Sequence, residues 1–134
     1  MMLLYFNMIG KFLGIFWFAD KLGNAALTGH SIVCRQSYSY QAQTVGAAGV
    51  EVNPEYWVSF FWKQLMGRGV LELTASGAGG LVRVYSGVDH TTGAVTAVVI
   101  NLGANATVAP IIVNGRIVTQ HDMYSLLDLY PRPF

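Results

Sequence analysis

The chain has 134 residues, a formal net charge of +1 and only 11% charged residues. Surfaces that bind nucleic acid or anionic membranes need clustered lysine and arginine, so this composition argues against both. Hydrophobic residues make up 53% of the chain and the mean hydropathy is +0.42, which is unusually apolar for a small domain, because small domains expose much surface. The composition therefore predicts either a membrane segment or elements that are buried in a larger body.

The first 19 residues are almost entirely apolar, with a single charge at Lys11. Their length is borderline for a transmembrane helix, which needs about 20 mostly apolar residues. A secretory signal peptide has a positively charged region near its start and a cleavage site of small residues, and neither is clear in this segment. A leader, a membrane anchor and a buried barrel helix therefore stay open for residues 1–19.

Over residues 12–28, apolar side chains recur at intervals of three and four, which predicts an amphipathic helix that stops at Gly29. A short apolar strand is predicted next, over residues 32–36. It contains the lone cysteine, Cys34, for which we predict a buried, inert thiol, since one cysteine excludes an intrachain disulfide. The predicted apolar face of the helix is Phe12, Ile15, Phe16, Ala19, Leu22 and Ala26.

Residues 37–53 show no helical period, which predicts a loop. The Asn-Pro-Glu sequence at residues 53–55 then begins a second helix, because asparagine favours the N-cap, proline the first helical position and glutamate the positive end of the helix dipole. We expect this helix over residues 54–66. Its predicted apolar face is Trp57, Phe60, Phe61 and Leu65.

From residue 70 the sequence turns to short runs of valine, isoleucine and threonine, which predict β-strands. Asn114-Gly115, between two apolar runs, is a strong hairpin signal. We expect an antiparallel sheet of about five short strands that forms part of a sandwich, because a sheet must bury one face. The predicted strands cover residues 70–74, 81–85, 94–101, 107–113 and 117–118.

Several short segments follow one another in a recognisable order along the chain. They are FADKLG (18–23), CRQS (34–37), NPEYW (53–57), KQLMGRGVL (63–71), LVRVYS (81–86), VVINL (98–102) and VNG (113–115). This colinear set resembles the heparanase-like glycoside hydrolases, which include endo-β-glucuronidases and β-glucuronidases. The resemblance covers roughly residues 16–117, and the CRQS and LMGRGVL sequences are more similar to the plant-type members than to the vertebrate enzyme.

The resemblance implies an α+β fragment: the last βα units of a (β/α)8 barrel followed by an incomplete antiparallel β-sandwich. Residues 1–69 would be the terminal portion of the barrel (helix, strand, loop and helix), and residues 70–134 the partial sandwich domain. It also implies hydrolysis of β-linked glucuronides with retention, by two glutamates that follow the fourth and seventh barrel strands. Both glutamates would lie upstream of the matching residues.

Retaining hydrolysis needs two carboxyl groups about 5–5.5 Å apart. Glu55 is explained by the start of a helix, and Glu72 alternates with leucines on the solvent side of a strand. Glu51 is in the loop and matches no catalytic position of the family. We therefore predict no catalytic residue in this chain and expect the chain alone to be inactive, although it derives from a hydrolase.

Part of a substrate site is predicted at Arg35 and Gln36, because barrel enzymes place working residues at the C-terminal ends of strands. The resemblance implies that Gln36 contacts the sugar, which an amide suits as both donor and acceptor. The residues alone leave hydrogen bonding to the loop backbone equally open. Arg35 would pair with a barrel carboxylate or meet the acid group of the substrate. Tyr38 and Tyr40 are further substrate-binding candidates, although the loop tyrosine of the family falls near Thr44 here.

The three histidines, His30, His90 and His121, are far apart without ligand spacing, so we predict neither a metal nor another cofactor. Asn105 begins an N-glycosylation acceptor triplet, which agrees with a secretory route and an extracellular, lysosomal or vacuolar location.

Two function classes remain. The first is a fragment of a hydrolase that cleaves a glucuronic-acid-containing glycan of a proteoglycan or cell wall, with the missing N-terminal barrel portion as its partner. The second is a non-catalytic module that binds a glycan or another partner.

Overall fold

The computed structural model describes residues 12–35, 43–46, 49–73, 80–105, 110–113 and 116–118. Contacts divide the chain into two compact units, Met1–Leu102 and Gly103–Phe134. The α+β class is confirmed, whereas the barrel, the sandwich and the domain boundary at residue 69 stay predictions. The elements are α1 (Phe12–Leu27), β1 (Gln43–Gly46), β2 (Gly49–Val52), α2 (Pro54–Leu65), β3 (Gly69–Leu71), β4 (Val82–Val88), β5 (Val95–Asn101), β6 (Ile112–Val113) and β7 (Arg116–Ile117).

Helix α1 confirms the helix predicted over residues 12–28 and ends as expected at Gly29. The φ of Gly29 is 79°, a left-handed conformation that glycine adopts without a steric penalty. The N–H of Gly29 donates to the carbonyl of Ala26 at 3.1 Å and the N–H of His30 to the carbonyl of Ala25 at 2.9 Å. These two bonds satisfy helix-terminal carbonyls in the Schellman pattern.

The buried face of α1 differs from the predicted one. Ile15 and Ala19 are buried as predicted, but Phe12 is 39% exposed. The other buried residues are Gly14, Phe18 and Gly23. The buried face is rotated because α1 packs on both α2 and the sheet. At Gly23 the helix lies so close to Tyr85 of β4 that a side chain would not fit.

Helix α2 begins as the Asn-Pro-Glu sequence predicts, with Asn53 in extended backbone at the N-cap and Pro54 at the first helical position. The most buried side of α2 is not the predicted aromatic face: Phe60 is 42% exposed, whereas Val58 is 4% and Glu55 only 1% exposed. The side of α2 that carries Glu55 and Val58 is buried, and α2 packs on α1. The aromatic rings contact one another instead, as in the edge-to-face pair of Trp57 and Phe60, whose centroids are 6.1 Å apart.

Three strands form an antiparallel sheet in the order β3–β4–β5. In this register Tyr85 of β4 lies opposite Val98 of β5, and Ser86 lies opposite both Leu71 and Ala97. Helix α1 packs against β4 and β5, so one face of the sheet meets a helix layer. Among the described residues, the large buried apolar side chains and Ala19 form this core: Ile15, Phe18, Ala19, Val58, Tyr85 and Ile100.

The link from α2 to β3 crosses the end of β4 at very short range. A Cβ atom built on Gly67 would lie 2.1 Å from the carbonyl oxygen of Val88, so only glycine fits there. Close by, the hydroxyl of Thr96 on β5 donates a 2.7 Å hydrogen bond to the carbonyl of Leu65 at the end of α2. Together these contacts fix the end of α2 on the sheet.

Two predictions about the segment between the helices are wrong. Residues 32–35 of the predicted strand are neither helix nor strand, Ile32 is 76% exposed, and the Cys34 thiol is exposed rather than buried. A strand needs a hydrogen-bonded neighbour, and the described residues pair no other segment with this one. The predicted loop, by contrast, contains an antiparallel hairpin in which β1 pairs with β2.

The second unit contains the hairpin that Asn114-Gly115 predicts. Strand β6 pairs with β7, with Ile112 opposite Ile117 and Val113 opposite Arg116. The N–H of Val118 extends the pairing by donating to the carbonyl of Ile111 at 2.8 Å. Residues 114–115 themselves lie outside the described residues.

Candidate functional site

Of the predicted substrate-binding residues, Arg35 is the one that the structure describes, and aromatic side chains of α1 contact it. Its guanidinium carbon lies 4.3 Å from the ring centroid of Phe18 and 5.8 Å from that of Trp17. The ammonium group of Lys21 lies 5.1 Å from the same Trp17 ring. A cation over an aromatic face is stabilised by about 0.5–2 kcal/mol, so helix α1 orients the arginine that precedes Gln36.

The other predicted substrate residues, Gln36, Tyr38 and Tyr40, lie outside the described residues, and their roles stay predictions. Thr44, near which the resemblance predicts the loop tyrosine of the family to fall, is in β1. Its partner in the register is Glu51 of β2. Glu51 therefore belongs to a paired strand, not to the irregular loop that the sequence predicted.

A polar cluster joins α1 to β4 at Tyr85, a residue the sequence did not single out. The phenolic hydroxyl of Tyr85 donates to Oδ1 of Asp20 at 2.5 Å and accepts from the side-chain amide of Asn24 at 3.0 Å. The Nε atom of Arg83 lies 3.6 Å from the same carboxylate oxygen. A Cβ atom on Gly23 would lie 2.2 Å from the tyrosine ring, so glycine at this position lets the strand reach the helix.

The electrostatics of this cluster favour the neutral phenol. Burial, the hydrogen bond to Asp20 and the negative charge of Asp20 together raise the pKa of Tyr85 to about 12, against a smaller opposing effect of Arg83. A phenol that stays protonated throughout the physiological range is a hydrogen-bond donor rather than a base. The cluster is therefore suited to holding two elements together.

The other acidic side chains of the described ranges, Asp89, Glu55 and Glu72, occupy positions that local structure explains. Asp89 accepts from the N–H of Thr91 at 2.8 Å and from the hydroxyl of Thr92 at 3.1 Å, and these hydrogen bonds lower the pKa of its carboxyl. Glu55 is in the first turn of α2, as predicted, and is buried. Glu72 is exposed just after β3, in agreement with its predicted solvent-facing position.

The predicted absence of a metal site stays a prediction. Within the described ranges, no three side chains of His, Cys, Asp or Glu come together as ligands. His30 contacts the hydroxyl of Thr28 at 2.9 Å, and His121 lies outside these ranges. Neither of the two helices that the structure describes has the length and apolar character needed to cross a membrane. Asn105, the predicted glycosylation site, is exposed in a bend after β5.

Sequence reasoning missed the contact between Asp20 and Tyr85 and the burial of Glu55. The contact between Asp20 and Tyr85 could have been found from the sequence. The FADKLG segment contains Asp20, the LVRVYS segment contains Tyr85, and both segments carry the family resemblance. No local signal marks Glu55, since a glutamate in a first helical turn is ordinarily solvent-exposed.

Comparison with known proteins gives three plant relatives. Heparanase-like protein 1 of Arabidopsis thaliana is 33% identical over 128 residues, which cover 92% of this chain and 23% of that protein. Heparanase-like protein 3 of the same plant is 33% identical over 69% of this chain and 17% of its own length. Heparanase-like protein 2, also from this plant, is 28% identical over 78% of this chain and 19% of its own length.

The chain thus spans less than a quarter of the length of these curated relatives. No family model and no solved structure matches it. The three relatives share one family name and align over most of this chain, which confirms the resemblance drawn from the FADKLG, CRQS and other segments. The chain belongs to the heparanase-like family.

Proposed function

We propose that this chain is one part of a retaining glycoside hydrolase that acts on β-glucuronide linkages of a proteoglycan or cell-wall glycan. In this proposal it supplies substrate-binding residues and no catalytic glutamate, and it is inactive alone. The observation that carries the proposal is the relationship to Heparanase-like protein 1, which extends over 92% of this chain but only 23% of that protein. A glycan substrate follows from the family.

The environments of the described carboxylates support inactivity of the isolated chain. A nucleophile must reach the anomeric carbon, and the acid/base must face it across about 5–5.5 Å. Asp20 instead binds Tyr85 and lies beside Arg83, while Asp89 closes its own turn. Glu55 is buried in the helix layer. These roles agree with catalytic carboxylates that reside on other polypeptide.

Exposed apolar side chains support the missing barrel portion as a partner. Leu13 of α1 is 63% exposed and Phe60 of α2 is 42% exposed. On β5, Val95 is 52% and Val99 is 46% exposed. Extended apolar surface on a small chain marks an interaction site. We therefore propose that further heparanase-like polypeptide covers the two helices, and that the assembled enzyme works in an extracellular, lysosomal or vacuolar compartment.

The position of Arg35 supports a contribution to substrate binding. Phe18 and Trp17 fix its guanidinium group, and the polypeptide leads from there directly to Gln36. A fixed arginine is suited to the acid group of a uronate because its planar fork matches a carboxylate. We propose that Arg35, Gln36, Tyr38 and Tyr40 together line one side of the glycan site.

Complementation tests this proposal. The full chain is assayed on an aryl β-glucuronide alone, and again after co-expression with the portion of Heparanase-like protein 1 that it does not match. We expect no product from the chain alone and product from the co-expressed pair. In the pair, Gln36→Ala should lower kcat/KM roughly tenfold, the equivalent of one hydrogen bond of about 1.4 kcal/mol. Glu72→Gln, at an exposed position just after β3 and outside the two helices, is the control and should leave kcat/KM unchanged.

The outcomes separate the two function classes. Product release by the chain alone, at a rate comparable to that of an intact relative, would overturn the proposed lack of catalytic residues. A co-expressed pair that forms a complex and binds a glucuronic-acid polysaccharide without cleaving it would favour the non-catalytic binding module instead.

A further inference from the structure

We propose that Asn105 is a site of N-linked glycosylation and that the chain is modified there during passage through a secretory compartment. The inference is independent of the proposed function, because it concerns a different residue and a different enzyme. The sequence places the acceptor triplet Asn105-Ala106-Thr107 at this point, and the residue between the two polar members is not proline, which the acceptor pattern requires.

The triplet is specific within this chain. The chain has six asparagines, at positions 7, 24, 53, 101, 105 and 114. Asn105 alone among them is followed by threonine or serine two residues later. One modification site is therefore expected per molecule, and Asn101, four residues earlier, provides an internal comparison.

The backbone that leads to Asn105 agrees with the physical needs of the modification. Strand β5 ends at Asn101, and the N–H of Leu102 makes a further sheet hydrogen bond, to the carbonyl of Leu81 at 2.8 Å. Residues 103–105 then form a bend in which Ala104 and Asn105 are exposed. A transferase must reach the asparagine amide, and an attached oligosaccharide needs solvent around it. An exposed bend satisfies both requirements, whereas Asn101, at the end of a paired strand, is only partly exposed.

The chemical step balances with a lipid-pyrophosphate-linked oligosaccharide as the donor. The side-chain amide nitrogen of Asn105 forms a bond to C1 of the first sugar and loses one proton to a base of the transferase. The bond between C1 and the pyrophosphate oxygen breaks, and the lipid pyrophosphate leaves with the electron pair. Nothing is oxidised or reduced.

The test uses the full chain, expressed behind a cleavable secretory signal in a glycosylating eukaryotic cell. Intact mass spectrometry measures any added oligosaccharide, and treatment with peptide N-glycosidase then converts the modified asparagine to aspartate. We expect one removable oligosaccharide, with the new aspartate at position 105. Asn105→Gln, Thr107→Ala and Ala106→Pro should each abolish the added mass.

Two matched variants keep the test independent of folding defects. Thr107→Ser retains a hydroxyl acceptor triplet and should stay glycosylated, and Asn101→Gln should also stay glycosylated. An unmodified chain, in cells that glycosylate a co-expressed reporter, would overturn the proposal. So would added mass that persists in Asn105→Gln.

Discussion

The phenolic hydroxyl of Tyr85 on β4 donates a 2.5 Å hydrogen bond to Oδ1 of Asp20 on α1, across 65 positions of sequence. Asp20 belongs to the FADKLG segment and Tyr85 to the LVRVYS segment, so two of the segments that resemble the family meet in one contact. Gly23, from the first segment, gives the tyrosine ring the room it needs. The helix and the strand thus form one packed structure around this pair.

Tyr85→Phe should destabilise the chain by about 1.5–3 kcal/mol, the range for a hydrogen bond to a charged group. The ring would still fill its place against Gly23, so the loss reports the hydroxyl and its bond to Asp20. The measurement is the free energy of unfolding of the full chain in urea at low protein concentration. An unchanged unfolding midpoint would show that the contact contributes nothing.

Arg83→Gln should cost less than the loss of the tyrosine hydroxyl. The Nε atom of Arg83 is 3.6 Å from Asp20, but the arginine side chain is 47% exposed. Exposed ion pairs contribute about 0–1 kcal/mol because water and salt screen them. The same urea experiment should therefore place Arg83→Gln within about 1 kcal/mol of the original chain, and a larger loss than that of Tyr85→Phe would reverse the assigned order.

Alkaline pH should weaken the fold through Tyr85. Its pKa is raised from 10.0 to about 12 in the folded chain, so the unfolded chain loses this proton first as the pH rises. The stabilisation is complete below pH 10 and is lost between pH 10 and about 12. The unfolding free energy of the original chain should fall more steeply over this range than that of Tyr85→Phe. Parallel curves for the two chains would contradict the raised pKa.

The elements that local sequence signals specify were predictable. The Asn-Pro-Glu start of α2, the glycine end of α1 and the β6–β7 hairpin were confirmed because each depends on neighbours in the chain. The helix faces were not predictable in the same way. Which side of α2 is buried depends on α1, and a periodic pattern that includes Phe60 does not say what lies opposite.

The candidate site was predictable only from the resemblance. Nothing local to Arg35 indicates that Phe18 and Trp17, 17 and 18 positions earlier, will lie against its guanidinium group. The wrong prediction of a buried strand at residues 32–36 has the same origin, since an apolar run becomes a strand only beside a pairing partner. Contacts between residues distant in sequence determine both the surroundings of Arg35 and the conformation of residues 32–35.

Gly67→Ala should destabilise the chain strongly because the new Cβ would lie 2.1 Å from the backbone oxygen of Val88. Backbone cannot move away as a flexible side chain can, so we expect a loss of at least about 1–3 kcal/mol. Gly93→Asn is the matched control: Gly93 has a φ of 73° and open space around its Cβ position, and asparagine tolerates that conformation. Equal losses for the two variants would mean that the crossing at Val88 is not specifically tight.

Gly23→Ala tests whether the approach of α1 to β4 requires a missing side chain. A Cβ at this position would lie 2.2–2.4 Å from three atoms of the Tyr85 ring, so we expect a loss of about 1–3 kcal/mol or more, even though alanine favours helix. The same change in a Tyr85→Phe background should cost as much, because the ring remains. In a Tyr85→Ala background the clash disappears, and Gly23→Ala should become neutral or stabilising. This double-mutant cycle in urea isolates the contact between the two positions, and a penalty for Gly23→Ala that is the same in all three backgrounds would show that the glycine serves the helix rather than the tyrosine.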